Sequence, residues 1–282
     1  VQIAVASGKG GTGKTTFATS LALALVGEYE VRYIDCDVEA PDGHLFLNPL
    51  LFEKTEAMIP VPEIRDGTCN ACGRCVEICR FHALARLGGN ILIFPQLCHG
   101  CGSCAVNCPE KAMVENPKPI GLIEKGLTRE GVQFLQGSLT ISEPMPTPII
   151  RQLKKLVRRS RGIIDIFDAP PGASCSVVET VRGVDFVFLV TEPTPFGLHD
   201  LRQMLGVLRE MRIPAGVVIN RDGIGDGAVE AFCRAENLPI VLRIPFDRGI
   251  ARGIAEGRTL LDIAPHYSLV FRQLVSRIQK EY

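Results

Sequence analysis

The sequence predicts an α/β fold: a doubly wound, mostly parallel sheet interrupted once by a small α+β insert. Three observations carry this. Short apolar runs alternate with segments of helical spacing over most of the 282 residues, the pattern of repeated βαβ units. The first run passes through a glycine-rich turn directly into a helix. Eight of the 11 cysteines fall between Cys69 and Cys108, a window of 40 residues, whereas Cys36, Cys175 and Cys233 are scattered. Secreted disulfide scaffolds are short and Cys-dense throughout. One cysteine block in a long, well-filled apolar chain reads instead as a metal or cluster module set into an intracellular fold.

Residues 1–7 (VQIAVAS) read as a buried strand, 8–13 as the glycine turn, 14–26 as a helix and 31–35 (VRYID) as a second strand. This opening implies parallel pairing. The pattern resumes after residue 148 with a helix at 149–159, strands at 163–168 and 184–190, and a helix at 197–211. A strand at 215–220, a helix at 226–236, a strand at 239–244 and helices at 248–256 and 267–280 complete it. The expected organisation is therefore a discontinuous main domain, 1–55 with 148–282, and an insert at 56–117. The segment 118–147, rich in Gly and Pro, is expected to rejoin the sheet as short strands or loops. Within the insert, 87–94 (LGGNILIF) turns at Gly-Gly between apolar residues, a hairpin signal.

Composition bounds the function. Lys+Arg and Asp+Glu both number 31, so no broad electrostatic grip on nucleic acid is expected. No Trp and only four Tyr leave little for base stacking. The hydrophobic share of 46% fills a core and excludes disorder as the main state. No leader pattern and no run of 18 apolar residues is visible, so the expected location is cytoplasmic, with no membrane span.

Gly8-Lys9-Gly10-Gly11-Thr12-Gly13-Lys14-Thr15, followed by Thr16, fits G-x-x-x-x-G-K-[ST] between a predicted strand and a predicted helix. The glycines let backbone N–H groups turn inward as an anion nest, and the helix N-terminus adds its dipole. Lys14 is expected on the β/γ-phosphates of ATP or ADP, and the Thr15 hydroxyl on Mg²⁺.

The cysteines form two runs, Cys69-x₂-Cys72-x₂-Cys75-x₃-Cys79 and Cys98-x₂-Cys101-x₂-Cys104-x₃-Cys108-Pro109. Both have bacterial ferredoxin spacing, in which the fourth cysteine ligates the other cluster. Cys69, Cys72, Cys75 and Cys108 are thus assigned to one [4Fe–4S] cluster, and Cys98, Cys101, Cys104 and Cys79 to a second. Gly73 and Gly102 would relieve crowding where the backbone passes close. Arg80 stands where the pattern has Pro after the fourth cysteine. Structural zinc is the alternative occupant, since CxxC pairs also bind Zn²⁺. His82 and His99 lie in the module but are not assigned as ligands.

The run GKGGTGKT resembles the deviant Walker A motif of the MinD/ParA/nitrogenase-reductase group of P-loop ATPases, and the whole chain resembles members that carry an inserted two-cluster ferredoxin domain. The resemblance implies a nucleotide-sandwich dimer, homo- or heteromeric, in which Lys9 reaches the partner's nucleotide. It implies that Asp37 positions the attacking water and that Asp168 holds the Mg²⁺ shell. Gly172 would meet the γ-phosphate region, Asn220 would read adenine, and the segment Ile244-Pro245-Phe246-Asp247 would close over the base. Asp35 is either a member of this set or a structural carboxylate at a strand end. Two functions follow as expectations: an ATPase whose switching is coupled to electron transfer with a redox partner, or an ATPase that carries Fe–S clusters to an acceptor or positions a partner complex. In the nitrogenase reductase a ligand to an intersubunit cluster has the offset that Cys175 has from Asp168. No cysteine lies between 109 and 174 to supply the second ligand, so Cys175, like Cys36 and Cys233, is read as a small packed residue. The six basic residues of 151–161 read as a solvated helix face, and the apolar stripe of 267–280 as packed on the sheet rather than on a membrane.

Overall fold

The computed structural model describes residues 1–281. Along the chain, β1 (Gln2–Ala6) leads to α1 (Lys14–Leu25), β2 (Glu30–Asp35), α2 (Gly43–Leu47) and β3 (Leu50–Ile64). The cysteine block follows, with α3 (Arg74–Ile78), the strands β4 (Leu84–Leu87) and β5 (Asn90–Ile93), and α4 (Ser103–Val106). Then come β6 (Met113–Leu127), β7 (Gln133–Leu139), α5 (Thr147–Leu156), β8 (Ile163–Asp168), α6 (Cys175–Val181), β9 (Phe186–Thr191) and α7 (Pro195–Met211). The chain ends with β10 (Ala215–Asp222), α8 (Ala228–Ala235), β11 (Ile240–Pro245), α9 (Arg248–Ala255), α10 (Leu260–Ile263) and α11 (Tyr267–Glu281).

One sheet of nine strands runs β11-β10-β9-β1-β8-β2-β7-β6-β3. Pairing is parallel from β11 to β7, while β6 is antiparallel to both β7 and β3. The chain places β8 on one side of β1 and β9 on the other. That reversal opens a crevice at the carboxyl ends of the strands, where the glycine turn lies.

Alternation along the strands divides the core into two layers. Ile3 and Val5 face α1 and α11, where Phe17 meets Phe188 and Phe271 edge-on at 5.0 and 5.3 Å. Ala4 and Ala6 face the layer built on α5, α6, α7 and α8. Phe271, Leu274, Val275 and Ile278 of α11 are buried against α1. Among the described residues, no helix is long and apolar enough to cross a membrane.

The segment after the cysteines differs from the short strands or loops expected. β3 and β6, each of 15 residues, pair from Leu50 with Leu127 to Ile64 with Met113, with register shifts after Leu51 and after Ala57. At about 3.4 Å per residue they make a ribbon roughly 50 Å long. One end is the edge of the main sheet and the other carries the cysteine module. The ribbon's prolines, Pro60, Pro62, Pro117 and Pro119, lie beyond Gly121, where β7 no longer pairs with β6. There each strand has one neighbour, and a missing N–H on the free side costs no ladder bond. Positions 56 and 117 fall inside these strands, and 118–147 contains two thirds of β6 and all of β7.

α5 lies across the sheet end of the ribbon. Ile149 and Leu153 are fully buried, and Ile149 lies over Gly121 of β6 and Gly137 of β7. A Cβ on Gly121 would fall 2.5 Å from Ile149 Cδ1 and would also collide with the Ser138 carbonyl. Gly121→Ala should therefore lose about 1–3 kcal/mol through overpacking, read as a lower urea midpoint. An unchanged midpoint would mean that α5 does not approach this strand closely.

Candidate functional site

The glycine turn begins where β1 ends. Gly13 caps α1 at φ +90°, a left-handed conformation that a side chain would strain, and a Cβ there would collide with the Asn220 amide. That amide donates to Thr12 O at 2.7 Å, and its Oδ1 accepts from Arg221 N. The turn borders a cavity of about 530 Å³, within the range of nucleotide-sized sites. Lys9, Gly10, Gly11, Thr12, Gly13, Lys14, Thr15, Thr16, Asp37, Asn220 and Pro245 all line it. Gly8, Asp168 and Gly172 do not line it: Gly8 packs on Asp200, Asp168 is fully buried, and Gly172 donates to Ser7 O at 3.0 Å. Phe246, Ile250, Ile254 and Leu260 give the cavity an apolar end, opposite the anion nest.

A buried ion pair anchors the polar end. Lys14 Nζ donates to Asp168 Oδ1 at 2.6 Å, with both side chains almost fully buried. It also donates to Thr15 Oγ1 at 3.3 Å. Burial opposes the ammonium charge, but Asp168 beside it, with Asp35 and Asp37, holds the Lys14 pKa above its ordinary value. Burial, then the charge of Asp168, holds the Asp35 carboxyl well above the usual carboxylate range. Asp35 accepts from Asp37 N at 3.0 Å and from Gly43 N at 2.9 Å. It therefore closes the loop that carries Asp37, a structural role at the strand end. Burial raises Asp37 to about 6, with Lys14 working against the rise. Burial also raises Asp42, and Asp168 adds to it. Four carboxyls thus surround one ammonium, the imbalance a divalent cation relieves. Thr12 Oγ1 and Asp42 Oδ1 are buried without a hydrogen-bond partner, and both residues line this cavity. Unpaired buried polar atoms are costly, so their place here fits a site that receives polar ligand groups.

Three participants escape sequence reasoning. Tyr33, wholly buried, donates to Asp168 Oδ2 at 2.8 Å and fixes the carboxylate from behind. Glu192, at the end of β9, binds Lys9 Nζ at 3.1 Å and also pairs with Arg221. Arg221, at φ +56°, lines the cavity beside them. Tyr33 reads as an ordinary strand aromatic, because nothing local shows that β2 lies beside β8. Glu192 gives a weak signal, an acid at the carboxyl end of a buried strand.

The cysteine runs fold as a repeat, each position recurring 29 residues later. Left-handed backbone recurs with them, at Ala71 and Gly100, Gly73 and Gly102, and His82 and Lys111. So do hydrogen bonds to sulfur: Ala71 N and Gly100 N donate to Cys69 and Cys98 Sγ, and Ala83 N and Ala112 N to Cys79 and Cys108 Sγ, all at 3.3–3.4 Å. The two halves exchange their fourth cysteines. Cys69, Cys72, Cys75 and Cys108 line one small recess. Cys79, Cys98, Cys101 and Cys104 line the other. Among the described residues, no three His, Cys, Asp or Glu side chains converge on one ion position; each set surrounds a space instead. Burial raises the Cys75 and Cys98 thiols and takes Cys104 to about 11. These are poor nucleophiles and, once deprotonated by a metal, good soft ligands.

The recesses differ in depth along the ribbon. The second abuts Pro60 and Pro62, and Cys98 packs with Ile59 and Val61 in the main core. There His99 stacks on Phe81 at 3.7 Å, its pKa lowered by burial and then by Arg151 of α5. The first recess lies farther out, against Ile64 and Met113, with Cys69 and Cys72 exposed. His82 lines neither recess. Cys36 and Cys233 are buried, as read from the sequence, whereas Cys175 overturns its reading as a small packed residue: it is exposed at the first position of α6.

Comparison with known proteins gives the fold its relatives. A family model described as the CobQ/CobB/MinD/ParA nucleotide binding domain matches residues 3–260. An uncharacterized protein of Methanocaldococcus jannaschii is 31% identical over 260 residues, 92% of this chain and 91% of that protein. An iron-sulfur cluster carrier protein of Pyrococcus horikoshii is 24% identical over 263 residues, 87% of this chain and 74% of that protein. The septum site-determining protein MinD of Pyrococcus horikoshii, solved with Mg-ADP, superposes with a TM-score of 0.58 at 18% identity, covering 99% of this chain and 96% of that one. At that identity the likeness concerns the fold.

Tyr33→Phe should remove the phenol that satisfies Asp168 Oδ2 and lower stability by about 1–3 kcal/mol, read by urea denaturation. A neutral result would show that water replaces the phenol and that Tyr33 does not hold the carboxylate.

Proposed function

We propose a function from one premise: this chain belongs to the CobQ/CobB/MinD/ParA family of nucleotide-binding domains. It is an ATPase in which nucleotide-dependent dimer switching is coupled to electron transfer through two [4Fe–4S] clusters. The observation that carries the reading is that two cysteine sets, each drawn from both runs, line two separate recesses on a ribbon built into the nucleotide-binding sheet.

At the nucleotide site, the backbone amides of Gly10–Thr16 and the Lys14 ammonium bind the phosphates. Lys14 has three donors, so it can hold a phosphate oxygen while keeping Asp168. Thr15 and Asp168 would hold Mg²⁺, which supplies charge neutralisation at the β/γ-oxygens. Asp37, on the loop that Asp35 closes, orients the attacking water and accepts its proton. Lys9, with a side chain 37% exposed and paired to Glu192, leaves that pair on dimerisation and acts in trans on the partner's nucleotide. Pro245 and Phe246 border the end of the cavity suited to an adenine ring, whereas the Asn220 amide is engaged at the phosphate turn by Thr12 O.

In the module, Cys69, Cys72, Cys75 and Cys108 would hold one cluster and Cys79, Cys98, Cys101 and Cys104 the other. Such clusters store and pass single electrons at potentials set by hydrogen bonds to sulfur and by solvent exposure. The four backbone N–H···S bonds above supply the first control, and the unequal depth of the recesses the second. The outer set, with two exposed cysteines, meets a soluble redox partner.

One observation favours a second reading. The likeness to an iron-sulfur cluster carrier spans 87% of this chain, and exposed cysteines also suit delivery of a cluster to an acceptor. Clusters that cycle under redox titration without loss of iron favour electron transfer; rapid appearance of the cluster in an apo-acceptor favours delivery.

Anaerobic reconstitution should give a brown protein with about eight iron and eight sulfide per chain. Cys101→Ala should lower the iron content by about half while ATP binding persists. A colourless protein holding zinc would overturn the cluster reading.

ATP hydrolysis should fall as pH drops through about 6, because Asp37 acts as the carboxylate and its raised pKa lies there. Asp37→Asn should be slow at every pH and lose that acid limb. An acid limb retained in the variant would assign it to another group.

A further inference from the structure

We propose that α5 is the mechanical link between the nucleotide site and the cysteine-bearing ribbon, with Lys154 as its positioning residue. The proposal rests on the nucleotide-site reading above, and it explains how a change at the phosphate turn reaches a module carried on the far edge of the sheet.

The link begins at the segment that follows Asp168. Gly172 N donates to Ser7 O, which ties this segment to the start of the phosphate turn. The segment then enters α6 at Cys175. A shift of the segment therefore moves α6.

α6 is gripped from α5. Lys154 Nζ donates to three backbone carbonyls at the end of α6: Glu179 O at 2.9 Å, and Thr180 O and Arg182 O at 2.6 Å each. These are the last-turn acceptors that a helix leaves without intrahelical partners, and a cation there also meets the negative end of the helix dipole. Burial lowers the Lys154 pKa to about 8, so the ammonium, which alone has three protons to donate, still predominates at neutral pH. The same ammonium lies 5.2 Å from the centre of the Phe167 ring, and Phe167 is the residue before Asp168. Arg151 adds an ion pair to Glu179 at 3.4 Å.

The other side of α5 holds the ribbon. Gln152 Nε2 donates to Met58 O of β3 at 3.0 Å. Ile149 and Leu153 lie over glycine positions of β6 and β7, where no side chain separates helix from strand. Met58 and Ile59 lead directly to Pro60 and Pro62 of the second recess. One ten-residue helix thus bonds the switch-side helix through Lys154 and Arg151 and the ribbon through Gln152. Close-packed elements of this kind transmit a displacement because their contacts do not deform smoothly.

The test is hydrogen exchange on the full-length, cluster-reconstituted protein, with and without Mg²⁺ and a non-hydrolysable ATP analogue, alongside calorimetric binding. In the wild type, the analogue should alter exchange both at residues 8–16 and in the ribbon at 55–61, the latter by roughly fivefold or more, the low end of allosteric couplings. Lys154→Met should bind the analogue with unchanged affinity and keep the response at 8–16, but lose the response at 55–61. Gln152→Leu, which removes the hydrogen bond from α5 to Met58 of β3 and leaves the Lys154 grip intact, should give the same loss at 55–61 and decides the matter if Lys154→Met does not fold. A ribbon response that persists in the folded variants overturns the link, as does a wild type that responds at 8–16 alone. Failure to bind the analogue at all, with no response at 8–16, overturns the nucleotide reading itself and the link with it.

Discussion

The structure depends on one buried ion pair. Lys14 is held between the carboxyl ends of β1, β2 and β8 by Asp168, within the field of Asp35 and Asp37. Buried charges persist only when paired and hydrogen-bonded, so strand order, loop closure and side-chain choice all serve this pair. β2 and β8 must be neighbours for Tyr33 to reach Asp168. The 36–43 loop must close on Asp35 to bring Asp37 and Asp42 to the cavity. The negative excess left over is the physical reason the site suits a cation-bound polyphosphate rather than a free anion.

The insert obeys a different constraint. A module of this size, with Cys75, Leu84, Ile91, Cys104 and Met113 as its own small core, buries little apolar surface and needs external support. The protein supplies it by continuing the sheet outward as a ribbon rather than by tethering the module through loops. The ribbon orients the two recesses in a fixed series, one against the main core and one beyond it.

Much of this was legible in advance. The phosphate turn was readable because its chemistry is local: seven residues set the nest, the helix start and the lysine. The cysteine sets were readable because the repeat is short and its spacing is geometric, so that Cys108 joins Cys69 and Cys79 joins Cys98 at the recesses. The ribbon was not readable, because proline and glycine usually mark loops; here they fall on edges and under a helix, where a missing N–H or side chain is an advantage. Tyr33, Glu192 and Arg221 were hidden for another reason. Each acts on a residue more than 20 positions away, and no local pattern records such a partner.

The sequence by itself determined the parallel α/β plan, the phosphate turn and the division of eight cysteines into two exchanged sets, because periodicity and spacing act over a few residues. Tertiary structure alone decided which carboxylates share Lys14, that Lys9 meets Glu192, and that α5 lies between α6 and the ribbon. Those outcomes depend on the order of strands in the sheet. That order is set by how nine strands and their covering helices jointly bury two apolar layers, a global requirement that no single stretch of chain encodes.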